Sequence, residues 1–286
     1  MNWQTREIAP GLYLVATPLG NARDITLRAL DLLAGADVLA AEDTRSLRRL
    51  MEIHGVALGD RPLVAYHDHN GDRARPRLLA ALEAGQSVVY APEAGTPLIS
   101  DPGFDLMRAA LQAGLPCTTA PGPTAVVAAL TLSGLPSDRF LFAGFLPNTS
   151  SKRKSALAEF TGVPATLIFY ESPKRLGAML RDAAEVLGPD REAVVCRELT
   201  KKFEERCAGT LQDLSIKYAN ETPKGEIVVL IDRGAGVVTD QGTLDEALQE
   251  ALARMSVKDA ATEVSRIFGI SRREAYQRAM ALGKNY

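Results

Sequence analysis

Short apolar segments alternate with amphipathic segments along most of the chain. LYLVATP (12–18), SVVYA (87–91) and GEIVVLID (225–232) are apolar and partly β-branched, which is typical of buried strands. Segments between them, such as DITLRALDLLAGA (24–36), carry apolar residues at helical spacing. Strands that alternate with helices of this length predict βαβ units and a mostly parallel sheet.

The alternation occurs twice and is followed by a different pattern. It stops near residue 135 and begins again at FLFAGFLP (140–147). After a linker at 233–242, three helical segments remain, and the last two flank a Gly-Ile-Ser turn at helix-turn-helix spacing. The predicted fold class is therefore α/β, with two α/β domains that have mainly parallel sheets, plus a small C-terminal helix-turn-helix domain. The predicted boundaries are 1–135, 136–235 and 240–286.

Composition excludes several classes of protein. The net charge of −2 over 286 residues argues against a protein that binds a polyanion over its whole surface. A local basic face is compatible with this net charge. The three cysteines show no metal or disulfide spacing, which favours a reducing compartment. The N-terminus has no signal-peptide pattern, and no apolar run is long enough to span a bilayer. We expect a cytoplasmic protein that does not bind a membrane.

Loops rich in proline, glycine and acids follow five predicted strands of the first domain. They are TPLGN (17–21), AEDTR (41–45), HDHN (67–70), PEAGTPLISDPG (92–103) and APGPTA (120–125). Ligands bind beyond the carboxyl ends of parallel strands, so these loops are expected to share one rim. Glycine lets backbone approach a ligand closely, and proline fixes a loop in advance. Such a rim suits an adenosyl group held by backbone contacts, although each loop taken singly also suits a tight turn.

Familiar catalytic and metal motifs are missing from the sequence. It contains no phosphate-binding GxxxxGK[ST] loop and no GxSxG nucleophile elbow. The two histidines of HDH (67–69) resemble a metal pair, but no third ligand cluster accompanies them, and a hydrogen-bonding loop is the favoured interpretation. We predict no metal site.

Nine motifs in order resemble one known family. They are LYLVATPLGNARDITLRAL, AAEDTR, HDHN, EAGTPLISDPG, PGPTA, LPSDRFLFAGFLP, IFYESPKR, RELTK and KGE. In this order they resemble the tetrapyrrole-methylase-type (class III) methyltransferases, over residues 12 to 232. From Ser256 onward the chain has six basic residues and three acids, and this basic tail is similar to the helix-turn-helix of members that modify ribosomal RNA. The resemblance implies S-adenosylmethionine as the methyl donor, a cleft between two α/β domains, and a homodimer. It also implies an acceptor, the 2′-hydroxyl of a decoding-centre cytidine in 16S rRNA of the small ribosomal subunit.

The resemblance assigns donor-binding roles to residues that match the family's motifs. These are Pro18, Glu93, Ala94, Gly95, Thr96, Pro97, Leu98, Thr124, Ala125, Phe169, Tyr170, Lys224, Gly225 and Glu226. The rRNA-modifying members usually have aspartate where this chain has Glu93. Either Glu93 replaces that aspartate in function, or backbone contacts suffice.

Transfer to a ribose hydroxyl needs a proton acceptor and groups that hold RNA. The candidates for the base are Lys224, Glu226 and Asp101. The predicted RNA-binding residues, for phosphate, base or ribose, are Arg45, His67, Asn70, Arg175, Arg197, Lys201, Arg272 and Arg273. Each basic residue could instead be a solvated charge, and Glu42 and Asp43 could cap the helix after AEDTR.

Two alternative functions remain open from the sequence. A tetrapyrrole-precursor methyltransferase would use the same fold and donor on a corrinoid or porphyrinoid. A DNA-binding regulator that senses a small molecule would use the helix-turn-helix tail to bind DNA. The AEDTR and HDHN motifs and the basic tail favour RNA.

Overall fold

A computed structural model describes residues 3–100, 103–233, 241–268 and 270–282. Contacts between residues are concentrated within two compact units of the chain. The first comprises Met1–Leu132 and Arg197–Glu205, and the second comprises Ser133–Cys196 and Arg206–Tyr286. The units are described separately below, and the three predicted domain boundaries stay a prediction.

The first unit contains a parallel five-stranded sheet. Its strands are β1 (Gly11–Val15), β2 (Val38–Ala41), β3 (Leu63–Ala65), β4 (Ser87–Ala91) and β5 (Cys117–Ala120), in the order β3-β2-β4-β1-β5. All four neighbouring pairs are parallel. Its helices are α1 (Leu27–Gly35), α2 (Thr44–Ile53), α3 (Gly71–Glu83), α4 (Phe104–Gln112) and α5 (Ala125–Ser133), and a 3-10 turn covers Ala22–Asp24.

Helices cover both faces of this sheet, which explains why its strands are apolar throughout. Leu39 and Ala41 of β2 pack in one core with α1 and α2. Val38 and Ala40, the alternate residues, pack in a second core with α3 and α4. Because all five strands are parallel, their carboxyl ends lie at one edge of the sheet, and the loops that follow them begin there.

The second unit also contains a five-stranded sheet, and the predicted fold class is confirmed. Its strands are β6 (Phe140–Phe145), β7 (Thr166–Glu171), β8 (Glu192–Arg197), β9 (Glu205–Thr210) and β10 (Ile227–Ile231), in the order β6-β7-β10-β8-β9. The helices are α6 (Ser150–Ala158), α7 (Leu176–Leu187) and α8 (Leu211–Lys217). β6 and β7 are parallel, whereas β7 and β10 are antiparallel. The sequence does not predict β9, because this edge strand is mostly polar and lacks a buried apolar run.

Three helices at the end of the chain have a core of their own. They are α9 (Gln241–Leu252), α10 (Val257–Phe268) and α11 (Arg272–Leu282), as the helical spacing predicts. Leu248, Ala260 and Val264 are buried among them. The Arg278 guanidinium joins α11 to α9 through two hydrogen bonds to Asp245, at 2.7 and 3.1 Å. None of the helices in the described ranges is long and apolar enough to cross a bilayer.

Candidate active site

A two-bond bridge joins the loops that follow β1 and β4. The Thr17 N–H donates to the Gly95 carbonyl at 2.9 Å, and the Gly95 N–H donates to the Thr17 carbonyl at 3.0 Å. Gly95 has φ +82°, where other residues are strained, and an added Cβ would lie 3.1 Å from Leu19 Cδ2. Both backbone polar groups of Gly95 are thus bonded inside the protein. Gly95 therefore shapes the wall of the rim. Its positive φ and its bonds to Thr17 account for a glycine at this position without any close approach of its backbone to a ligand.

Side chains of the same loops extend the bridge to the loop after β5. The Thr96 hydroxyl donates to the Pro123 carbonyl at 2.8 Å, and the buried Thr17 hydroxyl donates to the Pro92 carbonyl at 3.4 Å. Three loops that lie far apart in sequence therefore form one cross-linked wall. Of the predicted donor-binding residues in it, Glu93 is exposed, Gly95 and Pro97 are buried, and Pro18, Ala94, Thr96, Leu98, Thr124 and Ala125 are half-buried.

The end of the β4 loop holds unusual backbone conformations. Leu98 has φ +71° and Ser100 has φ +62°, which is the left-handed region that side chains with a Cβ disfavour. Strain of this kind persists only where surrounding bonds hold the chain, and it concentrates at functional sites. Asp101, one predicted base, lies outside the described residues.

The loop after β2 supports the wall with one acid and starts a helix with another. Glu42 Oε2 accepts a hydrogen bond from the Glu93 N–H at 2.9 Å. Asp43 is the N-cap of α2, where its Oδ1 accepts from the Arg45 N–H at 2.7 Å. The capping alternative is confirmed for Asp43, while Glu42 instead binds the neighbouring loop. Reasoning from sequence did not assign this role, although the position of Glu42 directly after a strand was a signal for it.

Arg45 and Asp43 form an ion pair at the surface. The Arg45 guanidinium lies 2.9 Å from Asp43 Oδ2, and the Arg45 side chain is 91% exposed. The side-chain hydrogen bond from Arg45, together with backbone N–H groups, lowers the pKa of Asp43 to about 2. Asp43 is therefore ionised at neutral pH, and Arg45 presents its charge to solvent.

A cavity of about 670 Å³ lies where the loops after β1, β2 and β4 meet α2. Its volume is within the range of small-molecule and nucleotide sites. The lining combines acids, arginines, backbone and apolar side chains, so it can contact charged, polar and flat groups of one ligand. The lining residues are Thr17, Pro18, Gly20, Ala22, Asp43, Arg45, Ser46, Leu47, Arg49, Leu50, Ile53, Pro92 and Glu93.

The segment Arg197–Glu205 belongs to the first unit and lies against the loop after β1. The Thr200 hydroxyl accepts from the Asn21 N–H at 3.1 Å. Lys201 packs over Gly20 so closely that a Cβ there would lie 2.2 Å from Lys201 Cγ. Gly20 therefore makes room for Lys201, and the lysine is brought beside a residue that lines the cavity.

Both predicted phosphate ligands of this segment are held by acids. The Lys201 ammonium lies 2.8 Å from Glu198 Oε1, and the Arg197 guanidinium lies 2.9 Å from Glu205 Oε2. Glu198 has φ +52° and Thr200 has φ +65°, so the segment is as strained as the β4 loop. Their phosphate-binding roles stay predictions.

The HDHN loop is largely self-contained. Asn70 Oδ1 accepts from the His67 N–H at 2.8 Å, and Asn70 Nδ2 donates to the Ala65 carbonyl at 3.0 Å. The amide thus holds its own turn, as expected for a hydrogen-bonding loop, and the base or ribose contact of Asn70 stays a prediction. The rings of His67 and His69 stand 6.1 Å apart. Over the ranges that the structure covers, no cluster of three or more His, Cys, Asp or Glu could hold a metal ion.

In the second unit, the two predicted aromatic residues lie on opposite faces of β7. The Phe169 ring is fully buried in the core, 5.7 Å from the Phe160 ring, so only its backbone could meet a ligand. Tyr170 is half-buried and makes edge contacts with Phe142 at 4.8 Å and Phe145 at 5.7 Å. The predicted residues Lys224, Gly225 and Glu226 are exposed in the loop before β10.

Arg175 holds a loop of the second unit. Its Nη1 donates to Asn148 Oδ1 at 2.5 Å, and its Nη2 donates to the Leu146 carbonyl. Its Nε lies 3.2 Å from Glu171 Oε1, a buried carboxylate whose pKa is raised by desolvation. These contacts favour a structural role for Arg175. Arg272 and Arg273, by contrast, are exposed at the start of α11.

Comparison with known families decides the class of this site. A family model described as Tetrapyrrole (Corrin/Porphyrin) Methylases matches residues 11–215, which is more than half of the chain. The chain belongs to the tetrapyrrole (corrin/porphyrin) methylase family. A second model, described as the RsmI C-terminal HTH domain, matches residues 238–283 of this tetrapyrrole methylase. The predicted family and the predicted methyltransferase class are confirmed.

Individual relatives of this tetrapyrrole methylase cover nearly the whole chain. It is 48% identical over 278 residues to "Ribosomal RNA small subunit methyltransferase I" of Mesorhizobium japonicum, covering 97% of this chain and 94% of that protein. The protein of the same name from Escherichia coli O157:H7 is 40% identical, with 94% of each chain covered.

Solved structures share the fold of this tetrapyrrole methylase. The methyltransferase CobJ aligns with a TM-score of 0.60 at 20% identity, covering 79% of this chain and 95% of that chain. Uroporphyrin III C-methyl transferase from Thermus thermophilus, complexed with S-adenyl homocysteine, aligns with a TM-score of 0.54 at 22% identity, covering 77% of this chain and 96% of its own.

Proposed function

We propose that this protein methylates the 2′-hydroxyl of a decoding-centre cytidine in 16S rRNA, using S-adenosylmethionine. The observation that carries the proposal is the 48% identity, over 97% of the chain, to an enzyme named ribosomal RNA small subunit methyltransferase I. The match includes the helical tail, which supports a large RNA substrate over a tetrapyrrole. We also propose that the enzyme is a cytoplasmic homodimer, in line with its substrate and its family resemblance.

The residues of the first unit fit the proposed donor. S-adenosylmethionine, when bound, supplies an electrophilic methyl group on a sulfonium. Its sulfonium and ammonium charges suit the exposed carboxylate of Glu93. Its adenosyl group suits the half-buried apolar surface of Pro18, Ala94 and Leu98, in loops already cross-linked by Thr17 and Gly95. Because the wall is rigid before binding, little entropy is lost when the donor is held.

Methyl transfer then depends mainly on positioning and on removal of one proton. A ribose hydroxyl is a poor nucleophile at neutral pH, so a basic group that accepts its proton during transfer lowers the barrier. Glu226 and Lys224 are the proposed candidates within the described residues, with Asp101 as the third. The bond from the acceptor oxygen to the methyl carbon forms as the carbon–sulfur bond breaks, and the base takes the proton.

Basic groups on both units are proposed to bind RNA. Arg45 presents its guanidinium to solvent beside the cavity, and Arg272 and Arg273 are exposed on the tail. Such groups bind phosphates without reading sequence, so they would position the ribosomal subunit on the enzyme. Lys201, Arg197 and His67 stay candidates, although the contacts described for them lie within the protein.

The test is methylation of 30S subunits from cells that lack this protein, with labelled S-adenosylmethionine. Mass spectrometry of the small-subunit rRNA should find a new 2′-O-methyl group on one cytidine. Methylation of a uroporphyrinogen-type compound instead, with none on rRNA, would show that the tetrapyrrole alternative is correct. Full activity of the Lys224→Ala, Glu226→Ala double variant would overturn the proposed catalytic roles of those residues.

A further inference from the structure

A second cavity adjoins the one already described. It measures about 370 Å³ and is lined by Trp3, Arg23, Ile25, Leu27, Leu30, Ile53 and His54. Ile53 lines both cavities, and Ala22 of the first precedes Arg23 of the second. The His54 ring bonds to the Ala22 carbonyl at 2.8 Å, and Trp3 Nε1 donates to the His54 carbonyl at 2.9 Å. The two cavities therefore follow one side of α2, and we call them together the α2 groove.

The chemistry of the α2 groove changes along its length. Arg45, Arg49 and Ile53 are four residues apart, so they lie along one side of the helix over about 12 Å. The inner end, beside the donor loops, presents the carboxylates of Asp43 and Glu93, which accept hydrogen bonds. The two arginines follow, and the outer end presents Ile53, Leu27 and Trp3, of which Ile53 and Leu27 are more than half exposed.

We propose that the α2 groove binds the single-stranded RNA next to the nucleotide that is methylated. This inference rests on the proposed function and extends it. A nucleotide strand offers the same three chemistries in turn. A sugar hydroxyl donates to the Asp43 carboxylate, its phosphates bind Arg45 and Arg49, and its bases stack on apolar and aromatic side chains.

The contact of Arg49 suits an exchange with phosphate. Arg49 lies 3.4 Å from Glu52 Oε2, and the two side chains are 72% and 57% exposed. Pairs as exposed as this contribute little to stability, so a phosphate can replace the glutamate at small cost. Asp43 and Glu93 at the inner end disfavour a phosphate there, so the phosphates lie farther out, on Arg49 and on the solvent-exposed side of Arg45. Glu93 serves the donor, and Asp43 is the acid that can accept from a sugar hydroxyl.

Trp3 allows a direct test, because it is the only tryptophan of the chain. The probe is an octamer of cytidylate RNA, titrated into the full-length protein while tryptophan fluorescence is followed. A base that stacks on or near the half-buried indole should change its emission. We expect a saturable change with the RNA octamer, and none with S-adenosylmethionine alone.

Adjacent arginines supply a matched pair of variants. Arg49 lines the α2 groove, whereas its neighbour Arg48 is also exposed on the same helix but lines neither cavity. Arg49→Ala should weaken octamer binding and raise KM for 30S subunits, each by roughly threefold to tenfold, and reduce the salt slope of binding by about 1. Arg48→Ala should leave these values unchanged.

A second pair of variants tests the apolar end of the α2 groove. Ile53→Ala should weaken octamer binding. Its control is Leu111→Ala, which removes an apolar side chain with 57% exposure on α4 and should leave binding unchanged.

The outcomes separate the groove from the proposed function. If the wild-type protein methylates 30S subunits but Arg49→Ala and Ile53→Ala bind RNA as the wild type does, the α2 groove is not the RNA site and the function stands. If S-adenosylmethionine alone changes the Trp3 emission and Arg49→Ala weakens donor binding, the groove belongs to the donor. If the wild type does not methylate 30S subunits at all, the proposed function fails and this inference fails with it.

Discussion

Thr17 and Gly95 exchange two backbone hydrogen bonds, at 2.9 and 3.0 Å, between the loops that follow β1 and β4. The pairing resembles one rung of an antiparallel sheet, placed beyond the ends of two strands that are themselves parallel neighbours. It fixes the relative position of the two loops before any ligand binds. Preorganisation of this kind reduces the entropy that binding would otherwise cost.

Replacement of Gly95 by alanine should weaken binding of S-adenosylmethionine. The residue has φ +82°, where alanine costs about 1–2 kcal/mol, and the added methyl would press on Leu19. The loops would then shift, and the wall would no longer fit the donor. Isothermal titration calorimetry measures the donor affinity, and thermal unfolding measures the stability.

Gly85 provides the control for this variant. It has φ +76° with nothing within 4 Å of an added Cβ, so Gly85→Ala carries the same kind of backbone strain without a clash. Both variants should lower the melting temperature, but only Gly95→Ala should weaken donor binding. Equal donor affinity in the two variants would show that the bridge does not shape the donor site.

Removal of one partner of the Arg153–Asp182 ion pair should strongly destabilise the second unit. The two side chains are only 5% and 4% exposed and lie 2.7 Å apart. A charge left alone in such a site costs about 3–5 kcal/mol. We expect Asp182→Ala to shift the midpoint of urea unfolding far below that of the wild type.

The neighbouring pair Lys154–Glu185 joins the same two helices, and its side chains are 33% and 62% exposed. Glu185→Ala should cost about 0–1 kcal/mol, because solvent already screens the pair. Similar losses in the two variants would mean that burial does not set the strength of the inner pair.

Acid should remove the stabilising effect of Asp43. The folded state lowers the pKa of this carboxyl to about 2, from an ordinary value of 3.8. A lowered pKa means that the ionised form stabilises the fold above pH 3.8 and that this contribution is lost as the pH falls towards 2. Asp43→Asn keeps an N-cap side chain but removes the charge.

The wild type should therefore be more stable than Asp43→Asn at pH 5, and the difference should shrink by pH 2. Thermal unfolding across this range measures it. Since the pair with Arg45 is exposed, 1 M salt should also reduce the difference at pH 5. A difference that is constant from pH 5 to pH 2 would contradict the assignment.

Loss of two arginines from the tail should weaken docking on the ribosomal subunit. Arg272 and Arg273 are exposed at the start of α11, whereas Arg254 is exposed on the same three-helix segment beside Glu250. Arg272→Ala combined with Arg273→Ala should raise KM for 30S subunits and lower the salt slope by up to about 2. Donor affinity should stay unchanged. If Arg254→Ala raises KM as much, the effect is not specific to the start of α11.

Local pattern was sufficient for most of the secondary structure. Strand β4 was predicted over 87–91 and occupies Ser87–Ala91, and the helical segment predicted over 24–36 contains α1, Leu27–Gly35. Periodicity, caps and terminal glycines act over a few residues, so they can be read without knowledge of the fold. Strand β9 was not predicted, because a strand with one face in solvent needs apolar residues only at alternate positions, and Glu205–Thr210 has few of them.

The roles of single side chains were harder to predict. Asn70 and Arg175 carry groups that suit RNA, yet their hydrogen bonds go to nearby backbone and side chains. Phe169 and Tyr170 are adjacent in one motif, yet the first ring is core and the second is half-buried on the other face. Residue type gives the chemistry that a group can perform, and the partners within reach decide whether it is available.

The sequence by itself determined the family, the alternation of strands and helices, and the gathering of five loops at one edge of a parallel sheet. These follow from patterns that are local or that repeat along the chain. Only the tertiary structure decided that Gly95 bonds Thr17, that Glu42 supports Glu93, and that Arg49 and Trp3 line one groove. Each of these depends on the distance between residues far apart in sequence, which is set by how the whole unit packs.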